Sequence, residues 1–116
     1  MRAAEITAAD TWALRGDVLR GGDRSAAVVH FTEDDLPGTF HLGVRSGECE
    51  DGDPIAVATL IPIAAPDVPA ATPWQLRGMA VHPGVQGTGV GRLLLDAAID
   101  AVRDRGADVL WANARD

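Results

Sequence analysis

The residues of this chain best suited to chemistry form a short glycine loop, Gln86-Gly87-Thr88-Gly89-Val90-Gly91. Three glycines in six residues, with no acidic side chain among them, let the main chain approach an anion closely and present its N–H groups. The helix predicted to follow would add the positive end of its dipole. The loop therefore predicts a site for a polyphosphate, such as that of a nucleotide-like cofactor.

Two common nucleotide-binding patterns fit this loop poorly. A Rossmann fingerprint belongs on the first strand of its domain and requires an acid after the next strand, whereas this loop begins at residue 86. A P-loop requires a lysine, and all ten basic residues of the chain are arginine. Both patterns are disfavoured.

The elements around the loop follow from hydrophobic periodicity. Residues 39–45 alternate between apolar and polar side chains, which is typical of a half-buried strand, and the apolar run 55–61 predicts a central strand. Residues 74–81 predict the strand before the loop. After the loop, a helix ending at Gly106 carries an apolar stripe, and residues 109–111 begin another strand. The stripe consists of Val90, Leu93, Leu94, Ala97, Ala98, Ala101 and Val102. A strand, helix and strand in succession predict two parallel neighbouring strands.

The first third of the chain is less regular. Residues 1–7 predict a short edge strand, and Thr7-Ala8-Ala9-Asp10 is a capping box that starts a helix ending at Gly21-Gly22. The inward side chains expected on this helix are Trp12, Leu14, Val18 and Leu19. Residues 26–31 fit either a helical turn or a short strand. Gly78, in the middle of a later strand, predicts a β-bulge.

Composition excludes several classes of protein. The 116 residues predict a single domain, 1–116, and a hydrophobic share of 47% predicts a globular protein. A net charge of −7 argues against nucleic acid as a partner. No apolar run approaches the roughly 18 residues of a membrane span, and the N-terminus lacks a signal-peptide core, so no membrane association and a cytoplasmic location are expected. Cys49 lies among acids and is interpreted as a chance surface residue.

The segment Leu76-Arg77-Gly78-Met79-Ala80-Val81-His82-Pro83, followed by the glycine loop and Leu93-Leu94, resembles the acetyl-CoA-binding motif of the GNAT acetyltransferase superfamily. That motif has the pattern Arg/Gln-x-x-Gly-x-Gly/Ala. The predicted order of elements is similar to the fold of this family, which is an α/β fold of the α+β type. It has a mixed, mostly antiparallel central sheet with flanking helices. By comparison with the family, a helix and two closing strands are missing after Asp116, so the domain is expected to be C-terminally incomplete.

The resemblance implies acetyl-CoA as the cosubstrate, with no metal. It implies that the backbone of the loop, with Arg92 nearby, cradles the pyrophosphate, while the main chain of the preceding strand pairs with the pantetheine arm. A bulge near Gly78 would separate this strand from the one containing Trp111 and open a slot for the thioester. The implied cofactor-binding residues are Met79, Ala80, Val81, Gln86, Gly87, Thr88, Gly89, Val90, Gly91 and Arg92. A primary amine of a small molecule or peptide would attack directly in a ternary complex.

The catalytic residues are not assigned by the resemblance. Many relatives carry a glutamate on the fourth strand, which residues 74–81 lack, and a tyrosine in a later helix, whereas this chain has no tyrosine. The remaining candidates are Glu33, Asp34 and Asp35, expected to be solvated; His41 and His82, expected to be structural or exposed; and Asn113, a ligand-binding residue or a strand cap.

Three functions remain open. The first is an N-acetyltransferase acting on a small amine or amino-acid-like acceptor, for which the acids near Asp17 and before the hairpin suggest a cationic amine. The second is a truncated, catalytically inactive relative that binds CoA. The third is an interaction module in which the glycine loop is only a tight turn. The exposed last strand predicts a homodimer formed by strand addition, or marginal stability.

Overall fold

The computed structural model describes residues 2–19, 21–23, 25, 29–45, 53–66 and 68–112. At its centre is a five-stranded sheet with strand order β1-β2-β3-β4-β5. The strands are β1 (Ala3–Ile6), β2 (Phe40–Val44), β3 (Ala56–Ile61), β4 (Pro73–Val81) and β5 (Val109–Trp111). Strands β1 to β4 pair antiparallel, whereas β5 runs parallel to β4. The predicted mixed, mostly antiparallel sheet is confirmed.

The helical segments lie where the sequence signals place them. The first, α1 (Trp12–Leu14), continues from a 3-10 turn, Ala9–Thr11, into a π-helical turn, Arg15–Leu19. The predicted capping box is present, because Asp10 N–H donates to Thr7 Oγ1 over 3.2 Å and Thr7 N–H donates to Asp10 Oδ2 over 3.0 Å. The long helix α2 (Val90–Asp104) connects β4 to β5. Further 3-10 turns span Thr32–Asp35 and Pro83–Val85.

Helices α1 and α2 cover opposite faces of the sheet. Successive residues of β3 point to opposite sides, and they belong to two separate buried clusters. On the α2 face the buried residues are Phe40, Leu42, Val44, Ala56, Ala58, Leu60, Trp74, Val90, Leu94, Ala98 and Val102. On the α1 face they are Ile6, Leu14, Val57 and Ala80. The sheet is therefore the middle layer of three.

This layering corrects two details of the sequence interpretation. Strand β2 was expected to be half-buried, but all five of its residues are buried because both faces are covered. Leu93 was expected in the apolar stripe of α2, yet it is 36% exposed. Residues 26–28, within the undecided segment, and Cys49 lie outside the described residues. Within the described ranges, no helix is long and apolar enough to cross a membrane.

Candidate active site

The glycine loop joins the end of β4 to the start of α2. Its turns are held by Gly84 N–H, which donates to His82 Nδ1 over 3.0 Å, and by Thr88 Oγ1, which donates to the Val85 carbonyl over 2.6 Å. Gly89 caps the helix at a φ of +90°, a conformation that favours glycine. Leu93 N–H donates to the Gly89 carbonyl over 3.0 Å. The N–H groups of the three preceding residues therefore have no carbonyl partner within the helix. The loop thus places backbone N–H groups where the predicted anion site requires them, and anion binding stays a prediction.

The structure brings the two halves of the predicted cofactor site together. A Cβ built on Gly91 would lie 3.6 Å from Val81 Cγ2 and 3.8 Å from Met79 Cε, so the start of α2 adjoins the end of β4. Within the loop, Gln86, Gly87, Thr88 and Gly89 are exposed. Val90 is buried, which leaves only its backbone for a ligand. Arg92 is exposed, and its Nε bonds Asp96 Oδ1 over 3.0 Å, one turn along the helix.

The predicted bulge is present on β4. Val57 and Thr59 of β3 are two positions apart, whereas their partners Ala80 and Arg77 on β4 are three positions apart. Gly78 lies in this interval with a φ of +63°. A Cβ there would approach Phe31 Cε2 to 2.6 Å, which is closer than real contacts allow. Position 78 therefore requires glycine both for its backbone and for its packing.

Beyond its first residues, β4 separates from β5. The parallel pairing joins Pro73–Gln75 to Val109–Trp111. Residues 76–81 of β4 pair only with β3 within the described part of the chain. Trp111, at the end of β5, donates from Nε1 to the Ile63 carbonyl over 2.8 Å. The outer edge of β4 past the bulge can consequently pair with an extended ligand.

A buried polar cluster on the α1 face lies behind the bulge. Arg15 is 0% exposed, and it bonds both carboxylate oxygens of Asp34 over 2.8 and 3.0 Å. Its guanidinium also donates to the Val29 carbonyl over 2.8 Å and to Thr59 Oγ1 over 2.6 Å. His41 Nδ1 lies 2.8 Å from the same Thr59 oxygen. The expectation that Asp34 is solvated is therefore wrong.

Sequence periodicity contained a signal for this cluster. Arg15 follows Trp12 by three residues and precedes Leu19 by four, so it shares the helical face assigned to them. Among the described residues, its Nε has no hydrogen-bond partner, although both terminal nitrogens do. A charged residue within an inward-facing pattern predicts a buried ionic partner, which here is supplied by the acidic run.

Protonation in the cluster follows from burial and from the Arg15 charge. Burial would raise the pKa of Asp34, but the hydrogen bonds and charge of Arg15, with the Phe31 N–H, hold it below the usual 3.8. Burial lowers the pKa of His41 below 6.5, and the opposing charge of Asp34 does not offset this. At neutral pH the carboxylate is ionised and the imidazole is neutral. His41 is buried, which fits the structural role expected for it.

Phe31 connects this cluster to the bulge. The Arg15 Cζ lies 3.8 Å from the Phe31 ring centroid, and the Arg77 Cζ lies 4.7 Å from it. Arg77 Nη1 in turn pairs with Glu33 Oε1 over 2.7 Å, with side chains 39% and 30% exposed. Of the acidic run, Glu33 is thus a partly exposed carboxylate on the bulge face, while Asp35 is 77% exposed and 3.5 Å from His30.

The other candidate residues lie apart from the bulge or outside the described ranges. His82 is exposed and serves as a hydrogen-bond acceptor in the turn before the glycine loop. Asn113 falls outside the described residues. Over the described part of the chain, no three metal-ligating side chains form a group that could hold an ion.

Comparison with known proteins identifies the family. The sequence model of the "Acetyltransferase (GNAT) family" matches residues 11–116, so the chain belongs to this family of acetyltransferases. It is 33% identical over 110 residues to the uncharacterized N-acetyltransferase YitI of Bacillus subtilis strain 168, an alignment covering 95% of this chain and 70% of that protein. The resemblance inferred from the sequence is confirmed.

Solved structures support the same fold. A ribosomal-protein-alanine N-acetyltransferase from Brucella melitensis biovar Abortus 2308 superposes with a TM-score of 0.72 at 19% identity, covering 99% of this chain and 81% of that one. The aminoglycoside N-acetyltransferase AAC(6')-Iy in complex with CoA gives a TM-score of 0.72 at 16% identity, covering 97% and 76%. At such identities these similarities establish the architecture.

Proposed function

We propose that this protein transfers the acetyl group of acetyl-CoA to a primary amine. The observation that carries the proposal is the continuity of two features along one edge of β4. The glycine loop, which is suited to a pyrophosphate, adjoins Met79 and Val81 at the end of β4. The bulge at Gly78 is the next feature along this edge, moving away from the loop. An elongated ligand with phosphates at one end and a thioester at the other fits this arrangement. A solved relative of the same fold is described in complex with CoA.

The proposed reaction needs no covalent intermediate on the protein. The neutral amine nitrogen attacks the thioester carbonyl carbon, and the carbonyl electron pair moves to oxygen. An N–H group at the bulge would stabilise this oxygen. The C–S bond then breaks, and CoA leaves as a thiolate that takes up the proton lost by nitrogen. Holding both substrates at the bulge supplies much of the rate advantage.

The acceptor is proposed to bind on the α1 face, beside the bulge. The Glu33–Arg77 pair lies there with both side chains partly exposed, so Glu33 offers a carboxylate that would attract a cationic amine before this amine loses a proton to water and attacks as the neutral nitrogen. We further propose a cytoplasmic location and a homodimer formed along β5, the last strand in the sheet order. CoA binding without turnover is the alternative function that the same loop would support.

Titration of acetyl-CoA by calorimetry tests the cofactor site. We choose Gly91→Glu because the nearest heavy atoms, at 3.6 and 3.8 Å, leave room for a Cβ, and an acid suits the first turn of a helix. Its charge should repel the pyrophosphate and weaken binding at least about 10-fold, equivalent to about 1.4 kcal/mol. Gly91→Gln adds a side chain of nearly the same size as glutamate but without its charge, so it separates the effect of charge from that of bulk. Equal binding by the wild type and both variants would contradict the site.

Turnover is tested by thiol release from acetyl-CoA with a panel of amines. We expect release only when an amine is present. The chain contains no lysine, so no side-chain ε-amine of its own can consume the acetyl group. Saturable binding with no release for any amine would favour the non-catalytic alternative. A folded wild type that binds no acetyl-CoA would overturn the proposal.

A further inference from the structure

Phe31 fills the space behind the bulge of β4. Phe31 is 6% exposed, and its side chain lies against Gly78, where a Cβ would meet its Cε2 at 2.6 Å and its Cζ at 3.2 Å. The neighbouring Arg77 pairs with Thr59, whose side chain bonds Arg15 of the π-helical turn after α1, so this is the α1 face of the sheet. The ring therefore closes the α1 side of the bulge.

The proposed direction of the cosubstrate carries its acyl end toward this ring. The phosphates would lie at the glycine loop, which opens α2 on the opposite face. The acyl group is at the far end of the pantetheine arm, and it would reach the bulge after passing along the edge of β4. Carbon atoms added to the acyl group would extend past Gly78 toward Phe31.

The contacts of Phe31 make it a rigid boundary. The guanidinium carbons of Arg15 and Arg77 lie 3.8 and 4.7 Å from its ring centroid. Its N–H donates to Asp34 Oδ2 over 3.1 Å, and Asp34 is fixed by two bonds to the buried Arg15. Displacing the ring would disturb this cluster, so the space beside the bulge does not enlarge easily.

We propose that Phe31 determines acyl-group specificity by restricting the slot to a two-carbon acyl group. The inference rests on the proposed function, since it requires the thioester at the bulge. Phe31 acts through the volume of its ring, and the Arg15–Asp34 ion pair holds this ring in position.

The experiment measures the affinities of CoA, acetyl-CoA and butyryl-CoA for the wild type, Phe31→Leu and Phe31→Ala. The wild type should prefer acetyl-CoA over butyryl-CoA by at least about 10-fold, the usual discrimination for small differences in apolar length. This preference should decrease in Phe31→Leu and disappear in Phe31→Ala, while affinity for CoA itself changes little. The other phenylalanine of the chain provides the control: Phe40→Leu, in the core on the α2 face, should keep the preference.

The outcomes separate this inference from the proposed function. If the wild type binds none of the three ligands, the cofactor site is wrong and the inference falls with it. If the wild type binds CoA but shows no preference, or if the preference persists in folded Phe31 variants, the inference alone is overturned. Thermal unfolding of each variant shows which ones are folded. Should Phe31→Ala fail to fold, Phe31→Leu decides, because it retains most of the buried volume.

Discussion

Arg15 and Asp34 form an ion pair with almost no access to solvent, since their side chains are 1% and 0% exposed. Removing charges from water is costly, so each side chain depends on the other and on the groups that complete its hydrogen bonds. The Val29 carbonyl and Thr59 hydroxyl provide such bonds for the guanidinium. At the residue scale, the stability of the 3-10 turn Thr32–Asp35 depends on this pair remaining intact.

The variant Asp34→Ala should destabilise the fold by about 3–5 kcal/mol, because it leaves the Arg15 charge buried without a counterion. Urea denaturation followed by circular dichroism gives the free energy of unfolding. Asp35→Ala is the matched control, as this neighbouring side chain is 77% exposed, and its effect should stay within about 0.5 kcal/mol. Similar losses in both variants would show that the pair has no special role.

His41 should make the protein less stable in mild acid. Burial keeps its folded-state pKa below 6.5, so the unfolded chain binds more protons just below that pH, and the free energy of unfolding falls as pH decreases through it. Asp34 adds a second loss in a more acidic window, because its stabilising contribution disappears as pH falls through its lowered pKa. Arg15 acts on both groups, and the charges of Asp34 and Glu5 also act on His41.

Urea midpoints measured between about pH 7 and pH 5 test this dependence. In His41→Gln, which retains a polar group for Thr59 but does not titrate, the decline across this range should be smaller than in the wild type. Parallel pH profiles for the two proteins would rule out His41 as the cause.

At the scale of elements, the bulge of β4 is the feature on which the proposed thioester slot depends. Gly78→Ala should cost about 2–4 kcal/mol, combining a strained positive φ with overpacking against Phe31. Gly91→Ala is the control, because its Cβ has ordinary contacts, and alanine in place of a helical glycine should leave the free energy of unfolding unchanged or raise it by up to about 1 kcal/mol. Chemical denaturation of both variants makes the comparison; equal effects would contradict the packing argument.

The elements that the sequence predicted correctly are those with local signals. The capping box joins residues three positions apart, and Gly78 marks its own bulge. The contacts of Arg15 with Asp34 and Thr59 span 19 and 44 positions, so no local pattern pairs these residues. From the sequence alone the acidic run Glu33-Asp34-Asp35 is expected to be solvated, because only the fold brings Arg15 beside Asp34. The cofactor-binding residues were inferred from the family motif, and their contacts with a ligand stay a prediction.

At the scale of the whole molecule, both faces of the sheet are covered, whereas its last strand, β5, pairs with β4 at three positions. Strand β5 has three residues and is last in the sheet order. We expect strand addition between two copies along β5, giving a homodimer in solution. Light scattering over a range of concentrations measures the mass of the particle. A monodisperse monomer that unfolds cooperatively would contradict this expectation.

The contact between Phe31 and Gly78 also restricts how this protein can diverge. A larger residue at position 78 is excluded while the ring is present, and loss of the ring leaves a cavity while position 78 remains glycine. Each single exchange therefore lowers stability, and a combined exchange would restore the packing but still place a side chain at the positive φ of position 78. Position 78 is consequently expected to stay glycine during evolution, so the proposed acyl preference would diverge through position 31.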